Sequence, residues 1–148
     1  LRTMATGERA AAAQQRRHHR ESVRAAEQTQ LRERFASERN ERPLTPLTLM
    51  SSLAAALPEN VAVIEEAPTT TNSLLERLGA IKDPSGYFAH RGWALGWGLG
   101  CAMGVRLAWP ERPVLAVLGD GAAMYGIQGL WTAAKYQIPV TGVVGKNS

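Results

Sequence analysis

The stretch "VLAVLGDGAAMYG", residues 114–126, decides how the rest of the chain is read. An apolar run, Val114 to Leu118, stops at Gly119-Asp120-Gly121, and a segment with helical character follows. Uninterrupted apolar runs of this length suit a strand covered on both faces, as in parallel sheets. In open α/β sheets, ligands bind beyond the carboxyl ends of the strands. A carboxylate between two glycines at that junction therefore sits where a ligand is expected. Glycine lets the backbone approach a ligand and adopt unusual dihedrals, and a following helix presents free N–H groups that favour phosphate. Asp-Gly is also a common turn dipeptide, so the triplet alone leaves a plain turn open. It is neither a Walker A loop nor a Rossmann G-x-G-x-x-G.

Working outward, strands alternate with helices. "PVTGVV" (139–144) reads as the next strand, reached through a helix over Ile127–Tyr136. Asn147 lies just beyond that strand, so Asp120 and Asn147 are expected on the same edge of the sheet. A carboxylate and a carboxamide oxygen there are hard ligands for Mg²⁺ or Ca²⁺. Upstream, a Gly- and Ala-rich helix is expected over Leu95–Trp109, and strands at "VAVIEE" (61–66) and "YFAH" (87–90). "APTTTN" (67–72) reads as a loop and "SLLERL" (73–78) as a helix. Thr45 and Pro46 form a helix start, Leu49, Leu53 and Leu57 recur at spacing four, and Pro58 ends that helix. The alternation implies an α/β fold, a three-layer parallel sheet with helices on both faces.

Residues 1–42 are different. They carry ten Arg and six Glu, so the net charge of +4 arises here and the remainder balances. Val23, Leu31 and Phe35 are the only candidates for a buried stripe. The segment reads as a charged helical or disordered linker that folds weakly in isolation. "RRHHR" (16–20) is interleaved with Glu and lacks aromatics, which favours a solvated face over a nucleic-acid surface. No apolar run approaches the ~18 residues of a membrane span. Cys101 is the single cysteine, set in an apolar helix, which points to packing and a reducing cytoplasm.

Taken together, "TPLTLMSSLAAALPENV", "EEAPTTTNSLLERL", "LGWGLGCAMGVRLAWPERPVLAV" and "GDGAAMYGIQGLWTAAKYQIPVTGVVGKNS" resemble the cofactor domain of thiamine diphosphate-dependent enzymes. Within that family they look most like benzoylformate decarboxylase-type 2-oxo acid decarboxylases. The resemblance covers 43–148 and implies a thiamine diphosphate-binding domain that is truncated at its C-terminal end. It implies Asp120 and Asn147 as ligands of Mg²⁺, and Gly119, Gly121 and Ala122 at the diphosphate. Thr69 and Thr70 would reach the same diphosphate. Leu95 would wedge under the bent cofactor, and the Trp93 carbonyl would accept a hydrogen bond from its aminopyrimidine. Lys146 stands where a first Asn is usual, and Gly142 and Gly145 replace apolar strand residues. His90 does not match the active-site histidines of the decarboxylases.

The implied function is the C-terminal part of a 2-oxo acid decarboxylase, with no catalytic residue in this chain. The glutamate that activates the cofactor belongs to another domain, so the chain alone is expected to be inactive. A homo-oligomer or a partner subunit would carry the pyrimidine-binding domain, with a 2-oxo acid as substrate and no nucleic-acid or membrane partner. The alternatives are an acetolactate synthase-like carboligase fragment and a non-catalytic or split-subunit cofactor-binding module.

Overall fold

The computed structural model describes residues 6–89, 92 and 94–146. Four strands form one parallel sheet: β1 (Ala62–Glu66), β2 (Tyr87–Ala89), β3 (Val114–Gly119) and β4 (Thr141–Gly145), in the order β2-β1-β3-β4. Alternation of side chains sends Val63, Leu115 and Val117 to one face and Ala62, Ile64, Val114, Ala116 and Leu118 to the other. The first face is covered by α1 (Gly7–Glu38), α2 (Pro46–Ala56) and α4 (Leu74–Arg77) through Leu31, Leu47, Met50, Leu74 and Leu75. The second is covered by α5 (Gly98–Ala108) and α6 (Asp120–Gly126) through Leu99, Ala102 and Ala123, and α7 (Gly129–Lys135) packs on α5, with Gly129 against Leu99 and Met103. This is the three-layer α/β architecture expected from the sequence.

Strand order reverses between β1 and β3. The connection from β1 runs through α3 (Pro68–Thr71) and α4 to β2 on one side, and that from β3 through α6 and α7 to β4 on the other. The chain therefore leaves the carboxyl ends of β1 and β3 in opposite directions and opens a crevice there, the usual ligand position in such sheets.

Several local expectations change. "APTTTN" is not a loop: Pro68 starts the short α3, whose Thr71 Oγ1 donates to the Ala67 carbonyl at 2.9 Å. Asn72 and Ser73 then take left-handed backbone (φ 38° and 55°), which swings the chain into α4. The Gly-rich helix starts at Gly98 rather than Leu95, because Gly96 at φ 98° turns the chain first. The helix after β3 begins at once, at Asp120, and tightens at Ile127–Gln128, where the Leu130 and Trp131 amides reach back only three residues. In α2 the Thr45 cap forms as expected, its hydroxyl accepting the Thr48 N–H at 3.2 Å. The buried positions of α2 are Leu47, Thr48 and Met50, while Leu49, Leu53 and Leu57 are partly buried.

The charged segment is one continuous helix of 32 residues. Every residue from Thr6 to Ala26 is exposed, Val23 among them. Its last turns are docked instead: Leu31 is buried, Phe35 packs on the core, and Glu27 pairs with Arg77 at 2.7 Å. An isolated helix without such contacts is marginal in water. Hydrogen exchange should therefore be fast for amides up to about Arg20 and slow around Leu31–Phe35. Uniform protection along the helix, or none at Leu31, would contradict this division.

Candidate cofactor site

The crevice at the carboxyl edge gathers most of the residues singled out from the sequence. Gly119 ends β3 and pairs in register with Gly145, the last residue of β4. Gly119 also lies close to the β1 exit, its Cβ position 3.8 Å from Ala67 Cα. The buried Thr70 faces Gly145, where an added Cβ would stand 3.0 Å from Thr70 Oγ1. Glycine at 145 thus leaves Thr70 room at the end of β4. Thr69 is exposed on the first turn of α3, at the mouth of the crevice. Trp93 and Asn147 lie outside the described residues, as does His90. β4 ends two residues short of Asn147, opposite Gly119, and the exposed Lys146 follows it.

Asp120 is the first residue of α6 and is half-buried. Among the described residues it makes no hydrogen bond or ion pair, so its charge is available to a ligand. The glycines around it do not take unusual dihedrals. Gly119 sits at φ −74°, ψ 151°, which any residue adopts, and Gly121 is not among the residues of positive φ. Their contribution is space: an added Cβ on Gly121 would meet nothing within 4 Å. Ala122 is buried, so only its backbone can serve a ligand. With seven residues, α6 has a modest dipole, and its free N–H groups act locally. Among the described residues no three His, Cys, Asp or Glu side chains cluster as a metal site. A cation at Asp120 would therefore need further oxygens from Asn147, the backbone or an anionic ligand. The unengaged carboxylate and the open backbone beside it fit a metal-bridged diphosphate.

Sequence reasoning passed over the carboxylates that end β1. Glu66 is 1% exposed, and its Oε1 accepts the Gly96 N–H at 2.6 Å and the Trp97 N–H at 3.2 Å. Its Oε2 accepts the Gly98 N–H at 2.8 Å. Helix α5 has no cap from its own flanking side chain, and Glu66 supplies one from β1. Glu65 accepts the Tyr87 hydroxyl at 2.7 Å and the Ser73 N–H at 3.3 Å. Burial first, and then the Glu65 hydrogen bond and charge, push the Tyr87 phenol far above its ordinary range, so it stays protonated. Burial, with the Glu66 charge second, likewise raises the Cys101 thiol. The signal available in the sequence was a pair of carboxylates closing an apolar strand, where a charge is retained only if donors meet it.

Leu95, 43% exposed, precedes this capped turn. A cavity of about 250 Å³ opens at the carboxyl ends of β1 and β2, lined by Glu65, Ala67, Thr71, Asn72, Ser73 and Ala89 among others. A larger one, about 680 Å³, lies at the opposite edge of the sheet near Trp109 and Arg112. Its principal cation, Arg112, is already committed to Asp83 at 2.9 Å, the Val61 carbonyl and the Trp109 ring. Its Glu59 and Glu111 carboxylates are exposed, whereas Asp120 at the carboxyl edge is half-buried beside open backbone.

Residues 69–148 match the family model described as thiamine pyrophosphate enzyme, C-terminal TPP binding domain. The chain belongs to the thiamine pyrophosphate enzyme family. Benzoylformate decarboxylase of Pseudomonas aeruginosa is 36% identical over 105 residues, 71% of this chain and 20% of that protein. The acetolactate synthase large subunit of Parasynechococcus marenigrum is 33% identical over 112 residues, 69% of this chain and 18% of that one. Among solved structures, the thiamine diphosphate-dependent 4-hydroxybenzoylformate decarboxylase of Rhodococcus jostii RHA1 superposes with a TM-score of 0.61 at 34% identity. That match covers 70% of this chain and 20% of the Rhodococcus one. The chain spans about a fifth of the length of these relatives.

Two substitutions separate open space from space used for packing. Gly121→Ala should raise stability by up to ~1 kcal/mol, since it gains helix propensity and meets no neighbour. Gly126→Ala puts a Cβ 2.7 Å from the Gly96 carbonyl oxygen and should cost ~1–3 kcal/mol. Urea unfolding measures both; a destabilised Gly121→Ala would mean that the protein itself fills that space.

Proposed function

We propose that this chain is the diphosphate- and metal-binding part of a thiamine diphosphate-dependent 2-oxo acid decarboxylase of the benzoylformate decarboxylase type. The observation that carries the reading is Asp120, an unengaged carboxylate at the β1/β3 crevice with open backbone at Gly121. Asp120 alone would repel a diphosphate, and Mg²⁺ between them reverses the sign of the interaction. Asp120 and the Asn147 side-chain oxygen would hold the cation. The backbone at Gly119, Gly121 and Ala122 and the hydroxyls of Thr69 and Thr70 would meet the diphosphate. Leu95 would support the cofactor from below, and the Trp93 carbonyl would orient its aminopyrimidine. When bound, the cofactor supplies a nucleophilic carbon and an electron sink for the loss of CO₂ from a 2-oxo acid.

Glu65 and Glu66 are committed to Tyr87, Ser73 and the α5 turn and do not serve as the cofactor-activating acid. That acid would come from a pyrimidine-binding domain, in a second copy or a partner subunit. An exposed apolar face on α6 and α7, with Met124, Tyr125, Leu130 and Trp131, supports a covering partner here. So does β4, an edge strand with Thr141, Gly142 and Val144 exposed in a sheet type that is usually covered on both faces. The similarity to an acetolactate synthase large subunit favours a carboligase as the second reading. No helix among the described residues is long and apolar enough to cross a membrane, and a single cysteine, Cys101, in an apolar helix is compatible with the reducing cytoplasm we propose for it.

Calorimetric titration tests the reading. Thiamine diphosphate should bind only with Mg²⁺ present, and Asp120→Ala should weaken binding at least ~10-fold, the equivalent of one charged contact. Asn147→Ala, which removes a neutral oxygen, should cost less. The chain alone should release no CO₂ from benzoylformate. Equal binding in EDTA, or an unaffected Asp120→Ala variant, would reduce Gly119-Asp120-Gly121 to a turn.

A further inference from the structure

Strand β1 ends by placing a charge where no water reaches. A buried carboxylate persists only when donors surround it, and the three that Glu66 finds are consecutive amides, Gly96, Trp97 and Gly98, 30 to 32 residues along the chain. The fit leaves no slack. A Cβ on Gly98 would stand 2.6 Å from Glu66 Oε2 and 2.7 Å from Leu118 Cδ2. A Cβ on Gly96 would stand 2.6 Å from Tyr125 Cβ. The turn is thus gripped between the end of β1 and α6, the helix that starts at Asp120. Gly96 is held at φ 98°, and this fixes the direction in which the preceding residue, Leu95, leaves the turn.

We propose that Glu66 is a positioning residue whose carboxylate locks the Gly96–Gly98 turn and so sets where Leu95 stands relative to the cofactor. This rests on the cofactor reading above, in which Leu95 supports the bent molecule while Asp120 and its neighbours hold only the diphosphate. Glu66 touches no ligand and acts through three hydrogen bonds. Loosening the turn should leave the diphosphate half of the site intact and degrade the support beneath the rest of the cofactor. A glutamate that merely stabilised the fold would affect both halves alike.

The test uses Glu66→Gln in the full chain, with two probes and one ligand-free measurement. Glutamine keeps the shape but presents an NH₂ to amides that need an acceptor. Amide exchange at Gly96, Trp97 and Gly98 should accelerate at least ~10-fold with Val117 unchanged, as expected for the loss of charge-assisted bonds. Affinity for thiamine diphosphate with Mg²⁺ should fall ~10-fold, while affinity for inorganic pyrophosphate with Mg²⁺ stays within ~2-fold. Glu66→Asp, charged but one methylene shorter, should lie between. If Glu66→Gln fails to fold, Gly98→Ala reaches the same contact from the other side and should give the same split. Unchanged exchange at the three amides, or equal loss for the two probes, overturns the proposal. A wild-type chain that binds neither probe would refute the cofactor reading and Leu95's role with it; unchanged exchange in a wild type that binds both would refute the lock alone.

Discussion

Strands β1 and β3 share five register pairs, from Ala62–Val114 to Glu66–Leu118, and every residue in these pairs is buried. Full burial of a Val, Ile or Leu side chain contributes ~1.5–3 kcal/mol, so this central pair anchors both layers of helices. Its parallel direction has a geometric consequence. The chain must leave both strands at the same edge, and with β2 on one flank and β4 on the other it leaves in opposite directions. The crevice is a product of that divergence. Thr69 and Thr70 stand on one wall, Gly119 to Ala122 on the other, and the end of β4 closes the far side through the Thr70–Gly145 contact.

The same edge shows how the fold separates two negative charges by role. Glu66 lies inside, fully met by backbone donors, and its charge is consumed in capping α5. Asp120 lies half-exposed at the start of α6 with no protein partner among the described residues. A carboxylate already saturated with donors has little to offer a cation. An unsaturated one beside open backbone does. The family match places a TPP binding domain over residues 69–148, which contain both walls of the crevice.

Much of this was legible in the sequence, because the decisive signals were local. An apolar run that stops at Gly119-Asp120-Gly121 locates a strand end, and Thr45-Pro46 locates a helix start through its own cap. What escaped the sequence depended on distant partners. Helix α5 begins at Gly98 because its cap comes from Glu66, and no local residue announces that. The helical form of Pro68–Thr71 depends in part on a Thr71 hydroxyl turned back on Ala67. Of the two roles the sequence suggested for Gly121, room for close approach and unusual dihedrals, the assembled crevice shows the room and not the dihedrals. The docking of Leu31 and Phe35 required α2 and the sheet already to be in place.

The central claim is that cation and diphosphate meet at the β1/β3 crevice. Paramagnetic broadening of backbone amide signals tests it directly, with Mn²⁺ in place of Mg²⁺ and thiamine diphosphate present. The account predicts the strongest broadening at Gly119–Ala122 and Thr69–Thr70, lost when Asp120 is replaced by Ala. Broadening centred instead on Asp83, Trp109 and Arg112, at the opposite edge of the sheet, would contradict it.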